Sequence, residues 1–292
     1  MKKLLCLILA LTVLLGMTAL ASPIQIITKG DPAASFPEDA KLLTIRFMDT
    51  SAASDCFLLT YDGMTMLIDC ATANEALKFL VPHVKELGVT SIDCVVNTHP
   101  HDDHIDGFTH FADNFPIGAF YTSFPLNVNE EQRRAVAKAK EKEIPIVSLE
   151  DQDSIVFSDL EIRTYADADK HAYNNSSLIM HIRFGDSALL LLADTEITAE
   201  KDVNLLWKES AKCDIVKMPH HGLNNPSFSL MQNALPKLAV ISGRRTSKTG
   251  KALTTLHNVH CANALFTVNG DIVCVTDGTR WVVRQEPDQI SR

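Results

Sequence analysis

Short apolar runs recur along most of this chain, and several of them alternate with polar residues. The stretches LLTIRFMD and CFLLTYDGMTMLIDC are of this kind, and the pair Asp62-Gly63 between two runs is typical of a hairpin turn. Later runs of the same type are SIDCVVN, IPIVSL, SIVFSDLEIRTYA, SSLIMHIRFGDSALLLLAD, CDIVKMP, KLAVISG and ALFTVNGDIVCVTDGTRWVV. We expect each of these runs to form one β-strand or a pair of strands.

Stretches with the apolar spacing of helices lie between these predicted strands. ANEALKFLVPHVKELG ends at Gly88, a residue type that often terminates a helix. Further predicted helices are NEEQRRAVAKAKEKE, ITAEKDVNLLWKESAK, PSFSLMQNALP and the segment from Lys251 to Ala262. Because strands cluster in each half of the chain with helices among them, the order suits an α/β (α+β) protein in which two mixed sheets pack together and helices cover them.

The first 21 residues have the pattern of an export signal. Lys2 and Lys3 precede an apolar run, and Ala19 and Ala21 provide the small residues that a signal peptidase requires. We therefore predict a signal peptide over residues 1–21, a secreted or extracytoplasmic protein, and no transmembrane segment after cleavage. The alternative is a retained N-terminal anchor, since the run is nearly long enough to cross a bilayer. Residues 22–40, rich in Pro, Ala, Ser and Asp, are predicted to be a linker before one domain over residues 41–292.

Charge and cysteine content narrow the partners and the redox chemistry. The formal net charge is −9, and an acidic surface repels polyphosphate at long range, so we expect no stable nucleic-acid complex. Six of the seven cysteines lie beyond the predicted signal peptide. An even number in an exported protein permits disulfides, but their apolar surroundings suit free buried thiols equally well. None has the C-x-x-C spacing of a zinc or redox site.

Imidazoles and carboxylates are concentrated in the stretch NTHPHDDHIDG, directly after an apolar run. Two further apolar runs, LLLLAD and DIVKMPHH, also end in such groups. Imidazole nitrogen and carboxylate oxygen suit zinc, manganese or iron. Three predicted strands that each end in potential ligands indicate a metal site assembled from distant segments. The candidate ligands are His99, His101, Asp103, His104, Asp194, His220 and His221.

The stretch THPHDDH fits the H-x-H-x-D-H signature of the metallo-β-lactamase fold superfamily. The ordered set FMD, LIDCA, THPHDDHIDG, NNSSLIM, LLLLADTE, KMPHHG, AVISG and VTDG resembles the soluble hydrolase domain of ComEC-type competence proteins, over roughly residues 42–283. The resemblance implies a four-layer αββα sandwich of two mixed β-sheets, with the metal site at one edge between the sheets. It also implies that residues 41–292 are a hydrolase domain.

The same resemblance implies a metal-bound hydroxide as the attacking group, with one or two divalent ions. Zinc is the first expectation, and manganese or iron are the alternatives. By position, His99 and His101 would bind a first ion, and Asp194 would bridge it to a second. A carboxylate should also orient a ligand imidazole from behind, and Asp102 and Asp106 are candidates for that role.

For the second ion, the resemblance implies Asp103 and His104 as ligands. Either His220 or His221 would complete this site, and the sequence leaves the choice open. Asp103 would also act in catalysis by orienting the attacking water.

The chain departs from most of the superfamily at the first metal. Those proteins supply a third histidine between the signature and the bridging aspartate, whereas this chain reads YADADKHAYNNSSLIM there. We therefore expect a first site that is weak or empty, unless His171 replaces the missing ligand. Asn174 and Asn175 are candidates for substrate binding or for a simple turn, and His260 is a third candidate for substrate binding.

These features favour an exported metal-dependent hydrolase that acts on phosphodiester bonds, in nucleic acid, a nucleotide or an envelope phosphodiester. A β-lactam or lactone hydrolase is an alternative, although the missing histidine speaks against it. A non-catalytic metal or ligand-binding module is another, because the family's D-V-G-Q-G-D stretch reads DTSAASD here and leaves Asp49 and Asp55. The basic run from Ser242 to Lys251 suits a solvated loop better than a contact with an anionic substrate. The oligomeric state is open.

Overall fold

The computed structural model describes residues 24–50 and 53–287, and these residues form two mixed β-sheets. The strands are β1 Ile24–Ile27, β2 Leu43–Phe47, β3 Phe57–Tyr61, β4 Met64–Ile68, β5 Cys94–Asn97, β6 Phe120–Thr122, β7 Ile146–Ser148, β8 Glu161–Tyr165, β9 Ile179–Phe184, β10 Ser187–Leu191, β11 Ile215–Lys217, β12 Leu238–Ile241, β13 Asn263–Phe266, β14 Ile272–Thr276 and β15 Trp281–Gln285. The larger sheet has the order β1-β15-β14-β2-β3-β4-β5-β6-β7, and the smaller sheet has the order β13-β12-β11-β10-β9-β8.

The helices lie on the outer faces of the two sheets. They are α1 Ala73–Glu75, α2 Val81–Glu86, α3 Asp102–Ile105, α4 Phe108–Asn114, α5 Glu130–Glu141, α6 Ile197–Trp207, α7 Phe228–Ala234 and α8 Thr249–Asn258. A π-helical turn, Ala76–Leu80, joins α1 to α2, so the predicted helix that ends near Gly88 is one continuous element.

Three apolar clusters hold these layers together. The central cluster lies between the sheets, where Phe47 and Leu59 of the larger sheet are buried with Met180 and Leu191 of the smaller one. A second cluster packs the π-helical turn, α2, α4 and α5 on the outer face of the larger sheet, and a third packs α6, α7 and α8 on the smaller sheet. Burial of apolar surface on both faces of each sheet is what stabilises four layers. The predicted αββα sandwich is confirmed.

The N-terminal part of the sandwich differs from its prediction. Ile24–Ile27 pairs in parallel with β15 as an edge strand, and Phe36 is buried near β14 and β15. The segment 22–40 was expected to be a linker, but from Ile24 onward it belongs to the fold, since its apolar residues find a sheet edge to cover. The predicted signal peptide, residues 1–21, lies outside the described residues. None of the described helices combines the length and the hydropathy of a membrane span.

The ends of several strands meet at one edge of the sandwich. β4 and β5 run parallel in the larger sheet, as do β10, β11 and β12 in the smaller one. Parallel neighbours bring their carboxyl ends together, so the segments that follow β5, β10 and β11 converge there. All six cysteines that follow the predicted signal peptide are free thiols, and five of them are buried, which decides against disulfides.

Candidate metal centre

Four side chains from three segments meet at this edge. They are Asp103, His104, Asp194 and His221, here called the four-group cluster, and one ligand atom from each lies within 4.8 Å of the others. Nε2 of His221 is 3.3 Å from Oδ2 of Asp103 and 3.4 Å from Oδ2 of Asp194. Nε2 of His104 is 3.4 Å from Oδ1 of Asp194. The loop after β5, the end of β10 and the turn after β11 therefore converge on one point.

Buried atoms without hydrogen-bond partners indicate that the four-group cluster can bind a divalent ion. Nε2 of His104, Nε2 of His221 and Oδ1 of Asp194 are all buried, and none has a hydrogen-bond partner within the described parts of the chain. Buried polar atoms in proteins are almost always paired, so three such atoms facing one another require an explanation. Two imidazole nitrogens and two carboxylates form a donor set that suits zinc, manganese or iron. These four residues can hold the ion that the sequence predicts.

Asp69 orients one of the imidazoles from behind. Its Oδ2 is 2.8 Å from Nδ1 of His104, and it also accepts hydrogen bonds from the hydroxyl and the backbone N–H of Thr98. A carboxylate on the far nitrogen fixes the ring's tautomer and directs Nε2 toward the cluster. This role of Asp69 was not predicted from the sequence. The signal for it was a carboxylate directly after the apolar run MTMLI.

The two carboxylates predicted for this orienting role lie elsewhere, and that prediction was wrong. Asp102 is exposed and accepts the N–H of Asp103. Asp106 pairs with Arg134, with 2.6 Å between Oδ1 and the guanidinium. Both belong to the start or the end of α3, where their side chains point away from the imidazoles.

A buried ion pair lies behind the four-group cluster. Lys217 and Asp55 are fully buried and form this pair, and Nζ of Lys217 also donates to the carbonyl of Ala193 at 2.9 Å. The same ammonium lies 3.7 Å from Oδ1 of Asp194, while Oδ1 of Asp55 lies 3.3 Å from Nδ1 of His221. Burial opposes the charge on Lys217, but Asp55 and Asp194 raise its pKa above the usual value. The pair thus braces two members of the cluster at once.

The cluster balances its charges through its imidazoles. Burial alone would lower the pKa of His104, but Asp194 and Asp69 outweigh it and raise that pKa to about 10. Asp194 and Asp55 likewise hold the pKa of His221 well above its usual value, and these imidazoles hold the pKa of Asp194 well below its own. A divalent ion would supply this positive charge itself, and it would have to displace both protons.

His99 and His101 form a separate pair. Nε2 of His99 is 3.1 Å from Nδ1 of His101, and Nδ1 of His99 is 3.2 Å from the hydroxyl of Thr98. The ring centroids of His99 and His104 are only 4.0 Å apart. Burial, followed by the charge of His104, keeps the pKa of His99 well below its usual value, so its imidazole is neutral. Within the described residues, neither histidine joins a group of three or more close ligand atoms.

The structure separates His220 from His221. Nε2 of His221 reaches both Asp103 and Asp194, whereas Nε2 of His220 lies 3.7 Å from Asp194 alone. Nδ1 of His220 faces the side-chain amide of Asn224 at 3.0 Å. Both histidines have left-handed backbone dihedrals, with φ of 47° and 53°. Residues other than glycine rarely adopt this conformation. This backbone turns two adjacent imidazoles in different directions.

Asn174 and Asn175, which were predicted to bind substrate, differ in what their side chains contact. Asn174 places its amide 3.5 Å from Nδ1 of His220, and with His101 and His171 it lines a cleft of about 320 Å³. Asn175 lines the same cleft but uses its Oδ1 to accept the N–H of Ala199 in the first turn of α6. His171 is exposed and belongs to neither group of close ligand atoms among the described residues.

His260 does not join the other predicted residues. It is exposed just beyond the C-terminal end of α8, while Ser242 lies on the chain before the other end of that helix. The hydroxyl of Ser242 is 3.1 Å from Nδ1 of His221, a contact that the sequence analysis did not anticipate. The segment that approaches the cluster is therefore the end of β12.

Residues 50–242 match the family model of the metallo-beta-lactamase superfamily. The chain belongs to this superfamily. The matched region includes every member of the four-group cluster and both members of the His99–His101 pair, so the resemblance seen in the motif THPHDDH is confirmed.

One curated protein and two solved structures illustrate what this chain is similar to. ComE operon protein 3 of Bacillus subtilis is 23% identical over 174 residues, which are 59% of this chain and 22% of that protein, so the chain spans about a fifth of this relative's length. The metallo-beta-lactamase fold protein YhfI of Bacillus subtilis is 12% identical, with a TM-score of 0.57, over 80% of this chain and all of that one. CmlA, a diiron beta-hydroxylase of Streptomyces venezuelae, is 13% identical, with a TM-score of 0.53, over 82% of this chain and 55% of that one.

Membership in the superfamily and the four-group cluster together indicate a metallo-hydrolase with a metal site. As a superfamily member, the chain would use the ion's charge to make a water more acidic and to polarise a substrate oxygen. Its own residues supply the ligands, the buried ion pair behind them and the cleft beside them.

Proposed function

We propose that this chain is an exported phosphodiesterase that depends on a divalent metal ion. The observation that carries the proposal is the four-group cluster, whose buried, unpartnered nitrogen and oxygen atoms lie beside a cleft lined by His101 and Asn174. The choice of phosphodiester bonds is supported by the resemblance to the ComEC-type hydrolase domain. Zinc, manganese and iron all suit the donor set.

Asp103 is the cluster carboxylate that substrate and water reach. Its side chain is 29% exposed, against 2% for Asp194. Its pKa lies below the usual value despite burial, because the imidazoles of His221 and His104 lie close to its carboxylate. Asp103 therefore stays ionised at neutral pH, where it can both bind the ion and orient the attacking water toward the phosphorus.

His220 contributes a hydrogen-bond donor beside the cluster. A side-chain Nδ2 of asparagine can only donate, so the contact with Asn224 makes Nδ1 of His220 an acceptor. A neutral imidazole with Nδ1 as acceptor carries its hydrogen on Nε2, which lies 3.7 Å from Asp194. This N–H can donate to a non-bridging phosphate oxygen and hold the substrate against the cluster.

Export is proposed from the N-terminal sequence. The pattern of residues 1–21 predicts cleavage after Ala21, so the protein isolated from its natural host should begin at Ser22. N-terminal sequencing of the extracytoplasmic fraction tests this. A chain that begins at Met1 and remains with the membranes would instead indicate a retained anchor.

Purified protein that starts at Ser22 tests the activity. It should cleave bis-p-nitrophenyl phosphate when Mn²⁺ or Zn²⁺ is added after chelation, and it should leave the β-lactam nitrocefin intact. Asp103→Asn should lower kcat/KM by about 100-fold or more, since it removes a ligand and the group that orients water. Asp102→Asn is the matched control, because its carboxylate is adjacent but exposed, and it should retain activity.

The outcomes separate the candidate functions. Cleavage of nitrocefin without cleavage of the diester would identify a lactamase in place of a phosphodiesterase. Ion binding without hydrolysis of either compound would identify a non-catalytic metal-binding module. Equal activity of the Asp103 and Asp102 variants would refute the assignment of the site.

A further inference from the structure

One segment near the four-group cluster carries a net positive charge in this otherwise acidic chain. Residues 215–270 contain no Asp or Glu at all, although the chain has 36 of them, and they contain six Lys and Arg. The rest of the chain carries 21 Lys and Arg against 36 Asp and Glu. The acid-free segment includes His220, His221 and the residues 243–251, here called the basic loop.

The basic loop starts beside the cluster. Ser242, the residue before it, contacts Nδ1 of His221 at 3.1 Å through its hydroxyl. A side-chain carbon added at Gly243 would lie 3.9 Å from Cβ of His221 and 3.6 Å from Cβ of Ala53. The chain therefore passes directly over the cluster's edge before it reaches Arg244 and Arg245.

Reciprocal hydrogen bonds shape the basic loop. The N–H of Thr246 donates to the hydroxyl of Thr249, the N–H of Thr249 donates to the hydroxyl of Thr246, and the hydroxyl of Thr249 also donates to the carbonyl of Thr246. This arrangement resembles a capping box and fixes the start of α8. Lys248 directly precedes that first turn, and Lys251 lies within it. The turn contains no acidic residue, and its N–H groups form the positive end of the helix dipole.

Three cations of the basic loop lack carboxylate partners among the described residues. Arg245, Lys248 and Lys251 are exposed, and in the described ranges no Asp or Glu oxygen lies within 4 Å of them. Two other lysines near the surface, Lys41 and Lys138, each pair with carboxylates. Three unpaired cations on a shaped loop beside a metal centre are available to an anionic ligand.

We propose that Arg245, Lys248 and Lys251 form a second phosphate-binding site, which holds a phosphate neighbouring the one at the four-group cluster. The ligand is a chain of phosphodiesters, because such a substrate presents a second anion a few ångströms from the diester at the cluster. This inference rests on the proposed function.

A binding assay that needs no catalysis tests the proposal. The protein in EDTA is titrated against a fluorescein-labelled single-stranded 12-nucleotide DNA and, in a second arm, a labelled poly(glycerol phosphate) of similar charge. The triple variant Arg245→Ala, Lys248→Ala, Lys251→Ala is compared with Lys29→Ala, Lys140→Ala, Lys201→Ala, which removes equal charge from exposed lysines elsewhere. The basic-loop variant should bind about tenfold more weakly at low salt, with a dependence of log K on log salt that is less steep by about two to three.

The control variant should bind as the unmodified protein does. Weaker binding of the basic-loop variant to both polymers supports recognition of the phosphate backbone. Weaker binding to one polymer supports a ligand of that chemical type. If the two triple variants bind equally in both arms, the loop is a solvated surface and the inference is refuted.

Hydrolysis of bis-p-nitrophenyl phosphate distinguishes this failure from failure of the proposed function. This compound has one phosphate and cannot reach a second site, so the basic-loop variant should cleave it within about twofold of the unmodified rate, while KM for the 12-nucleotide DNA rises about tenfold. Equal binding together with normal cleavage would refute the second site and leave the phosphodiesterase standing. A binding difference without any metal-dependent cleavage would refute the phosphodiesterase and leave an anion-binding site.

Discussion

The two ends of the motif HPHDDH have different surroundings. Asp103 and His104 meet Asp194 and His221 from other segments, and a buried carboxylate and a buried ion pair support them. His99 and His101 contact each other, and His99 also contacts the hydroxyl of Thr98. Residues that are neighbours in sequence thus divide into a complete ligand group and an incomplete one.

The difference lies in what the rest of the fold brings to each end. The turn that follows β11 carries His221, which faces Asp103, so one half of the motif gains a ligand from the smaller sheet. The segment that could complete the other half supplies Asn174, whose amide faces His220. We infer one tight metal site at the four-group cluster and, at most, a weaker one at the His99–His101 pair.

The largest effect is expected from His221→Ala. It removes a ligand that contacts both Asp103 and Asp194, so the tight ion should be lost and kcat/KM should fall by roughly three orders of magnitude. Metal content by mass spectrometry of the dialysed protein, together with diester hydrolysis, checks this. His220→Ala is the matched control and should keep the ion. An ion lost from the His220 variant and kept in the His221 variant would reverse the assignment.

Lys217→Met tests the ion pair that braces only one half of the motif. It leaves Asp55 buried without its partner, and breaking a buried pair in this way costs about 3–5 kcal/mol of unfolding free energy. Urea denaturation of the metal-free protein measures it. The double variant Asp55→Asn, Lys217→Met should recover part of the loss, since no unpaired charge remains. A single variant as stable as the unmodified protein would show that the pair does not support the site.

His101→Ala tests the incomplete half. We expect the tight ion to remain and any weaker second ion to disappear, with kcat/KM reduced by roughly tenfold. Calorimetric titration with Mn²⁺ counts the ions in each protein. If this variant loses its tight ion as His221→Ala does, the two halves form a single site and the comparison fails.

The smallest effect on the metal site is expected from Glu200, a buried carboxyl that accepts the N–H of Ser227 at the start of α7 and so supports the segment that follows His221. Burial raises its pKa from an ordinary value near 4.5 to about 8, against the effect of that N–H. Its folded-state pKa is raised, so its contribution to stability is fully present below pH 4.5 and is lost as pH rises through 8. Each unit of pKa difference corresponds to about 1.4 kcal/mol.

Thermal unfolding from pH 5 to pH 9 checks this contribution. The unmodified protein should lose more stability across that range than Glu200→Gln, which stays neutral. Glu200 supports the segment that follows His221. We therefore expect Glu200→Gln to leave any weaker second ion at the His99–His101 pair unchanged. Parallel stability curves for the two proteins would contradict the raised pKa.

Much of the fold could be predicted because its signals are local. The runs that include Leu43–Phe47 and Ile272–Thr276 form strands, and Asp62-Gly63 forms the hairpin turn between β3 and β4. The segment Ile24–Ile27 could not be predicted as part of the sheet, because its four residues become a strand only when the edge of β15 is beside them. Pairing partners far apart in sequence leave no local pattern.

The metal ligands of the site could be predicted from the sequence, but the residues that orient or brace those ligands could not. Asp103, His104 and Asp194 follow apolar runs and carry familiar metal-binding chemistry. Asp69 and Lys217 also end apolar runs, but a carboxylate or an ammonium in that position has many uses, and its role depends on what it touches. Asp102, by contrast, had the right chemistry and sequence position but points away from the imidazoles.

The sequence by itself determined which side chains can bind a metal and that they follow buried strands, because residue type and hydrophobic period are properties of the chain. Only the tertiary structure decided which of them meet. His220 and His221 are identical in type and adjacent, yet the left-handed backbone of both residues turns one toward Asp103 and Asp194 and the other toward Asn224. A metal site is a set of distances of a few ångströms, and those distances are fixed by how β5, β10 and β11 end at a common edge of the two sheets.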